Sequence, residues 1–144
     1  MRVLFVVSGL ARGGAEAMLL KLLSRIDRAR FHPAVVSLAE ASDLAEEIRL
    51  LGIELHTLGL RSPRGLLYAG SRFIRLVRRI RPDIIQGWML HGNVAASLAG
   101  ACLGIPVFWG VRHSRLLPQT QKKANLFLQW LLGRASRFPA RGKT

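Results

Sequence analysis

Three short stretches of this 144-residue chain carry the residue types that handle phosphate or sugar. The first, Gly9-Leu-Ala-Arg-Gly13-Gly14-Ala-Glu16, has glycines that let backbone N–H groups approach an anion at the start of a helix. The second, Gln86-Gly-Trp-Met-Leu-His91-Gly-Asn93, puts an imidazole and an amide where another helix begins. The third, Gly110-Val-Arg112-His113-Ser114-Arg115, gathers two guanidiniums, an imidazole and a hydroxyl at a strand end. The first stretch lacks the GK[ST] ending of a P-loop and the GxGxxG of a dinucleotide site. By residue type alone, Gly13 and Gly14 equally describe a tight turn, and His91 equally caps its own helix.

The elements that would position these residues alternate regularly. Val3 to Val7 is an unbroken apolar run, the pattern of a strand covered on both faces. A helix over Ala15 to Arg25 presents Met18, Leu19, Leu22 and Leu23 on one face, with Glu16 in its first turn. A strand over His32 to Leu38 follows. Ser42 then reads as the N-cap of a helix that ends at Gly52, a natural residue to follow a helix. Ile53 to Leu58 is a third strand and Gly59 to Gly65 a loop. A third helix over Leu66 to Arg81 stops before Pro82, because the residue preceding proline avoids helical angles. Asp83 to Gln86 is a fourth strand, His91 to Leu103 a small-residue helix, Ile105 to Trp109 a fifth strand. Gln119 to Arg134 is a last helix with Leu126, Trp130 and Leu131 on one side. Five strand–helix alternations with apolar strands predict an α/β fold: a Rossmann-like open parallel sheet with helices on both faces. Ligands of such sheets bind beyond the carboxyl ends of the strands. That rule selects the loops Gly9 to Gly14, Gly59 to Gly65, Gly87 to Gly92 and Gly110 to Pro118.

Composition narrows the class. Half of the chain is apolar, enough for a core and against disorder. The single Cys102 cannot form an internal disulfide and, in its apolar helical setting, is expected as a buried thiol in a reducing cytoplasm. No His or Cys stands at ligand spacing to it, and no metal is implied. The chain opens directly on a strand pattern, without a secretory signal. Asn93 to Val111 has no charged residue, but Gly104, Pro106 and Gly110 divide it into a buried helix and a buried strand rather than a membrane span.

The net charge of +14 is unevenly distributed. Residues 1 to 60 carry seven bases and seven acids, residues 61 to 83 seven arginines and one aspartate, and residues 84 to 144 eight bases and no acid. This asymmetry calls for an anionic partner. On the third helix, Arg72, Arg75, Arg78, Arg79 and Arg81 fall on one half of the wheel, opposite Phe73, Leu76, Val77 and Ile80. Such a basic face suits an anionic membrane surface, at about 1 kcal/mol per charge, or else is ordinary solvated helix.

Joined in order, MRVLFVVSGLARGGAE, RPDIIQGWMLHGNVAASLAGACLGIPVFWGVRHS and the helix after them resemble the amino-terminal, acceptor-side domain of retaining GT-B glycosyltransferases of the "group 1" family. The resemblance spans residues 1–138, and residues 139–144 form a tail without it. It implies transfer of a sugar from a nucleotide-sugar donor to a saccharide or lipid-linked acceptor, in cell-envelope polysaccharide synthesis, with no cofactor beyond the donor. It implies a cytoplasmic protein, peripheral on the inner face of the plasma membrane. Gly13 and Gly14 match the glycine loop lying against donor diphosphate and acceptor, and Glu16 the acid ending that motif. His91 matches the histidine after the fourth strand, and His113 the catalytic histidine near the donor sugar. Asn93 and Arg112 join the binding set. Many members have histidine where this chain has Trp88 or Gln86. The family's carboxyl-terminal nucleotide-sugar domain is absent from these residues, so the expectation is a truncated enzyme, inactive alone. Two rivals remain. A dinucleotide-binding oxidoreductase would use Glu40 as its acid but lacks the glycines. A basic nucleic-acid module would need exposed aromatics among its arginines, and Phe73 and Trp130 fall on core faces, which speaks against nucleic acid.

Overall fold

Residues 3–7, all apolar, form most of β1 (Arg2–Val7), and every one of them is buried. The computed structural model describes residues 1–60 and 65–110. In it β1 is the middle strand of a five-stranded parallel sheet of order β3-β2-β1-β4-β5, with β2 at His32–Ser37, β3 at Glu54–Thr57, β4 at Ile84–Trp88 and β5 at Val107–Gly110. Phe5 lies in register between Val35 and Gln86, and Val7 between Ser37 and Trp88.

Strand alternation sorts the core into two layers. Val3, Phe5, Val7 and Val35 pack against Leu19 and Leu23 of α1 (Gly14–Arg25) and Ile48 of α2 (Leu44–Leu50). Leu4, Val6, Ala34, Val36 and Ile85 pack against Phe73, Val77 and Ile80 of α3 (Gly65–Ile80) and Ala96 and Ala99 of α4 (Met89–Leu103). Each large aliphatic side chain so buried contributes about 1.5–3 kcal/mol. The doubly covered parallel sheet read from the residue pattern is the observed one. The last helix expected, Gln119 to Arg134, lies outside the described residues, as does most of the Gly59 to Gly65 loop. Among the described residues no helix is long and apolar enough to cross a membrane.

Several local expectations are corrected. Ser42 does not cap α2. Asp43 precedes that helix in helical conformation with no side-chain cap, and Leu44 N–H instead donates to the Leu10 carbonyl at 3.2 Å. On α1 the buried row is Leu19 and Leu23, while Met18 and Leu22, about 100° around the helix, are 48% and 41% exposed. Cys102 is exposed rather than buried. Gly92, Ala96, Ala99 and Gly100 take the sheet side of α4, which leaves Leu98 and Cys102 on the outer row. No loop separates β4 from α4 either, because the strand runs through Trp88 and the helix begins at Met89. At the opposite end of β4, Asp83 anchors the strand to β1: its Oδ2 accepts from Arg2 N–H at 2.6 Å, and its own N–H donates to the Arg2 carbonyl at 2.9 Å.

The seat of α4 on the sheet is backbone against backbone. A Cβ at Gly92 would collide with the Val6 carbonyl oxygen, whereas one at Gly70, in mid-α3, would meet nothing within 4 Å. Gly92→Ala is therefore expected to lower unfolding free energy by about 1–3 kcal/mol through overpacking. Gly70→Ala should raise it by about 0.5–1 kcal/mol through helix propensity. Denaturant midpoints of the two variants check both signs.

Candidate functional site

β1 and β4 are neighbours whose carboxyl ends feed helices on opposite faces of the sheet, α1 on one and α4 on the other. This is the geometry that opens a crevice at a strand edge. Two helix N-termini meet that edge, and neither is capped by a side chain: Gly13 precedes α1 and Trp88 precedes α4, both extended. Each such end carries the equivalent of roughly half a positive charge, and its first-turn N–H groups have no intrahelical acceptor.

Gly13 and Gly14 are both exposed, and neither has positive φ. A Cβ on Gly14 would meet nothing within 4 Å, and one on Gly13 would meet only the Glu16 carboxylate. Neither a positive φ nor a backbone contact among the described residues requires glycine at either position. Glu16 is half-buried in the first turn of α1, its carboxylate folded back over Gly13.

Across the crevice, Trp88 is 2% exposed and locks the two elements together. Its Nε1–H donates to the Ala15 carbonyl at 3.0 Å, and its ring meets Phe5 edge-on with centroids 6.4 Å apart. Trp88 is a structural strut between the two elements. Met89 then turns the chain directly into α4 at φ 64°, a left-handed angle that costs a non-glycine residue about 1–2 kcal/mol. His91 follows, exposed in the first turn of α4. Asn93 is 6% exposed, its carboxamide packed on Gly87 so closely that a Cβ there could not fit.

Two buried side-chain polar atoms have no hydrogen-bond partner among the described residues, Asn93 Oδ1 and Ser8 Oγ. Both belong to this edge, Ser8 directly after β1 and Asn93 against β4. A buried acceptor left unpaired costs about 1–3 kcal/mol.

The fold therefore brings Gly13, Gly14, Glu16, His91 and Asn93 to one edge. Arg72, Arg75, Arg78 and Arg79 are exposed on α3, away from it. Arg112 and His113 lie outside the described residues; β5 ends just before them, with Gly110 in register with Trp88. Sequence reasoning missed Ser8, whose signal was its place as the first polar residue after the apolar run, and it missed the strut role of Trp88.

A family model described as Glycosyltransferase Family 4 matches residues 12–141. The chain belongs to this family. No curated protein matches it. Among solved structures, this family-4 chain is similar to Anabaena HepE in complex with UDP, with a TM-score of 0.75 and 19% identity over 94% of this chain and 35% of HepE. It is also similar to Acinetobacter baumannii MurG, with a TM-score of 0.66 and 17% identity over 99% and 43% of the two chains. A third likeness is to the Neisseria meningitidis UDP-GlcNAc 2-epimerase bound to UDP-GlcNAc, at 0.55 and 23% over 92% and 39%. At these identities the likeness is one of fold: the chain has the Rossmann-like sheet of one half of a GT-B fold and spans 35% to 43% of those chains.

Because Gly14 faces open space and the Asn93 oxygen has no partner among the described residues, Gly14→Ala and Asn93→Ala should each leave unfolding free energy within about 1 kcal/mol of the parent. Chemical denaturation followed by circular dichroism measures this. A loss above about 2 kcal/mol for Asn93→Ala would assign the carboxamide to the fold instead of the crevice.

Proposed function

We propose that residues 1–138 form the acceptor-side domain of a retaining glycosyltransferase, which moves a sugar from a nucleotide-sugar donor to a saccharide or lipid-linked acceptor. The observation that carries this reading is the carboxyl edge of β1 and β4, where two helix N-termini without a side-chain cap stand beside Ser8 Oγ and Asn93 Oδ1, which have no hydrogen-bond partner among the described residues. The donor's leaving diphosphate gains negative charge as the glycosidic bond breaks. Fixed N–H groups aimed at that charge stabilise it without reorganising. Gly13 and Gly14 expose the N–H groups of α1 for this purpose.

A carboxylate repels phosphate, so Glu16 takes a different part of the ligand, accepting a hydrogen bond from a sugar hydroxyl. His91, Asn93 and Arg112 shape the acceptor side, and His113 approaches the donor sugar. The role of His113 rests on the family resemblance. Catalysis in this scheme is positioning plus leaving-group stabilisation, and needs no metal. A second domain that grips the nucleotide, outside these 144 residues, closes the opposite wall, and the chain by itself transfers no sugar. HepE is recorded with UDP and the Neisseria epimerase with UDP-GlcNAc, which makes a uridine diphosphate sugar the first probe to use.

The test is an NMR titration of the isotope-labelled chain with UDP-glucose, and in parallel with a nicotinamide dinucleotide. Saturable shifts at the amides of Gly13, Gly14 and Asn93, from UDP-glucose alone and weakened by Asn93→Ala, are the expected result. Shifts from the dinucleotide alone would favour the oxidoreductase reading. In an enzyme completed by its nucleotide domain, His113→Ala should reduce transfer by about 10²-fold or more with an unchanged melting temperature. Unchanged turnover would refute that role.

A further inference from the structure

The arginines of α3 do not form a uniform solvated face. α3 lies with Phe73, Val77 and Ile80 buried on the sheet, and its flank forms a groove of about 430 Å³ with the edge strand β3. Arg72, Arg75 and Arg79 line one wall, and His56 and Leu58 the other. Arg78 is equally exposed on the same helix but stands outside the groove. The spacing i, i+3, i+7 sets the three guanidiniums in one row about 10 Å long.

Among the described residues no side chain neutralises that row. All eight acidic residues lie among the described residues. Glu47 pairs with Arg12, Glu46 with Arg49, and Glu54, beside the groove, with His56. Asp83 is bonded to the Arg2 amide. Among the described residues no aspartate or glutamate pairs with Arg72, Arg75, Arg78 or Arg79, and Arg75 Nε donates to the Ser71 carbonyl at 3.4 Å. The helix dipole explains Arg78 and Arg79 in the last turn, since cations are favoured there. It gives no account of Arg72 and Arg75 in mid-helix, where like charges one turn apart repel.

We propose that the groove between α3 and β3 is an anion site of its own, which takes a phosphate or diphosphate group through charge-assisted bonds from Arg72, Arg75 and Arg79. The phosphate belongs either to a soluble phosphorylated compound or to a phospholipid headgroup. The groove flanks β3, two strands from β1, so this inference holds or fails independently of the transfer reading.

The chain is titrated with inorganic pyrophosphate by calorimetry at low salt. It is also sedimented with vesicles of phosphatidylcholine alone or with 30% phosphatidylglycerol, a composition chosen at about the anionic content that attracts polybasic surfaces. The expected result is binding of at least one probe, weakened about tenfold by Arg72→Gln or Arg75→Gln and less than about twofold by Arg78→Gln, since the first two each remove a charge-assisted bond and the third only a more distant charge. Pyrophosphate binding with that ranking identifies a soluble ligand; vesicle binding alone with that ranking identifies a headgroup. Equal losses from all three substitutions would reduce the groove to diffuse surface charge and overturn the proposal, as would binding of neither probe by a chain with an unchanged circular dichroism spectrum.

Discussion

The arrangement depends on how closely α4 sits against the sheet. With no side chain at Gly92 and none at Gly87, the first turns of α4 rest on the carbonyl of Val6 and on the backbone of β4. Nothing separates Trp88 from Met89, so the direct passage from strand to helix requires the left-handed angle at Met89. That cost is met by the packing it permits, because Ala96 and Ala99 bury on the same face as Leu4 and Val6. With the axis of α4 fixed, its N-terminus is fixed as well. Asn93 is held against Gly87, His91 stands exposed two residues earlier, and Trp88 is left in position to reach Ala15. A strut between the first turn of α1 and the end of β4 therefore follows from a glycine contact elsewhere.

Much of the fold was legible because apolar runs and caps are local signals. β1 reads as doubly covered from its composition alone, Gly52 takes positive φ after α2 as a terminating glycine should, and α3 stops at Ile80 ahead of Pro82. The arginine face was legible for the same reason, since the 3.6-residue period turns Arg72, Arg75 and Arg79 away from the face that carries Phe73, Val77 and Ile80. The β4–α4 junction was not. Gly87 and Gly92 have the look of loop glycines, yet they are required for contact, while Gly13 and Gly14, which resemble a turn, are required for neither contact nor angle. A glycine's identity does not record which demand it answers. Cys102, Met18 and Leu22 failed for a related reason: a wide apolar face does not say which of its rows meets the sheet.

The crevice and the groove differ in the physics by which each would hold an anion. At the crevice the positive ends are main-chain N–H groups fixed by the helices, with Glu16 as the acid on the same turn. Such dipoles act over about one turn and depend strongly on geometry. At the groove the charge is carried by flexible, solvent-facing guanidiniums, whose field reaches about a Debye length and weakens with salt.

This division matches the placement of acids along the chain. Seven of the eight lie before residue 61, and several pair there with nearby bases, so the half of the sequence that builds α1 and the glycine loop is close to neutral. The unbalanced charge begins at Arg61. A field of one sign attracts anions without distinguishing among them, and only the placement of Arg72, Arg75 and Arg79 along the α3–β3 groove would add a preference. Discrimination needs directional groups near neutral surroundings, where a misplaced hydroxyl or phosphate leaves a buried partner unpaired. The main-chain groups of the β1–β4 edge and the guanidiniums of α3 stand in separate parts of the fold, so either set can change without the other. A glycine contact fixes the β1–β4 edge, whereas the arginines rest on the outer side of α3.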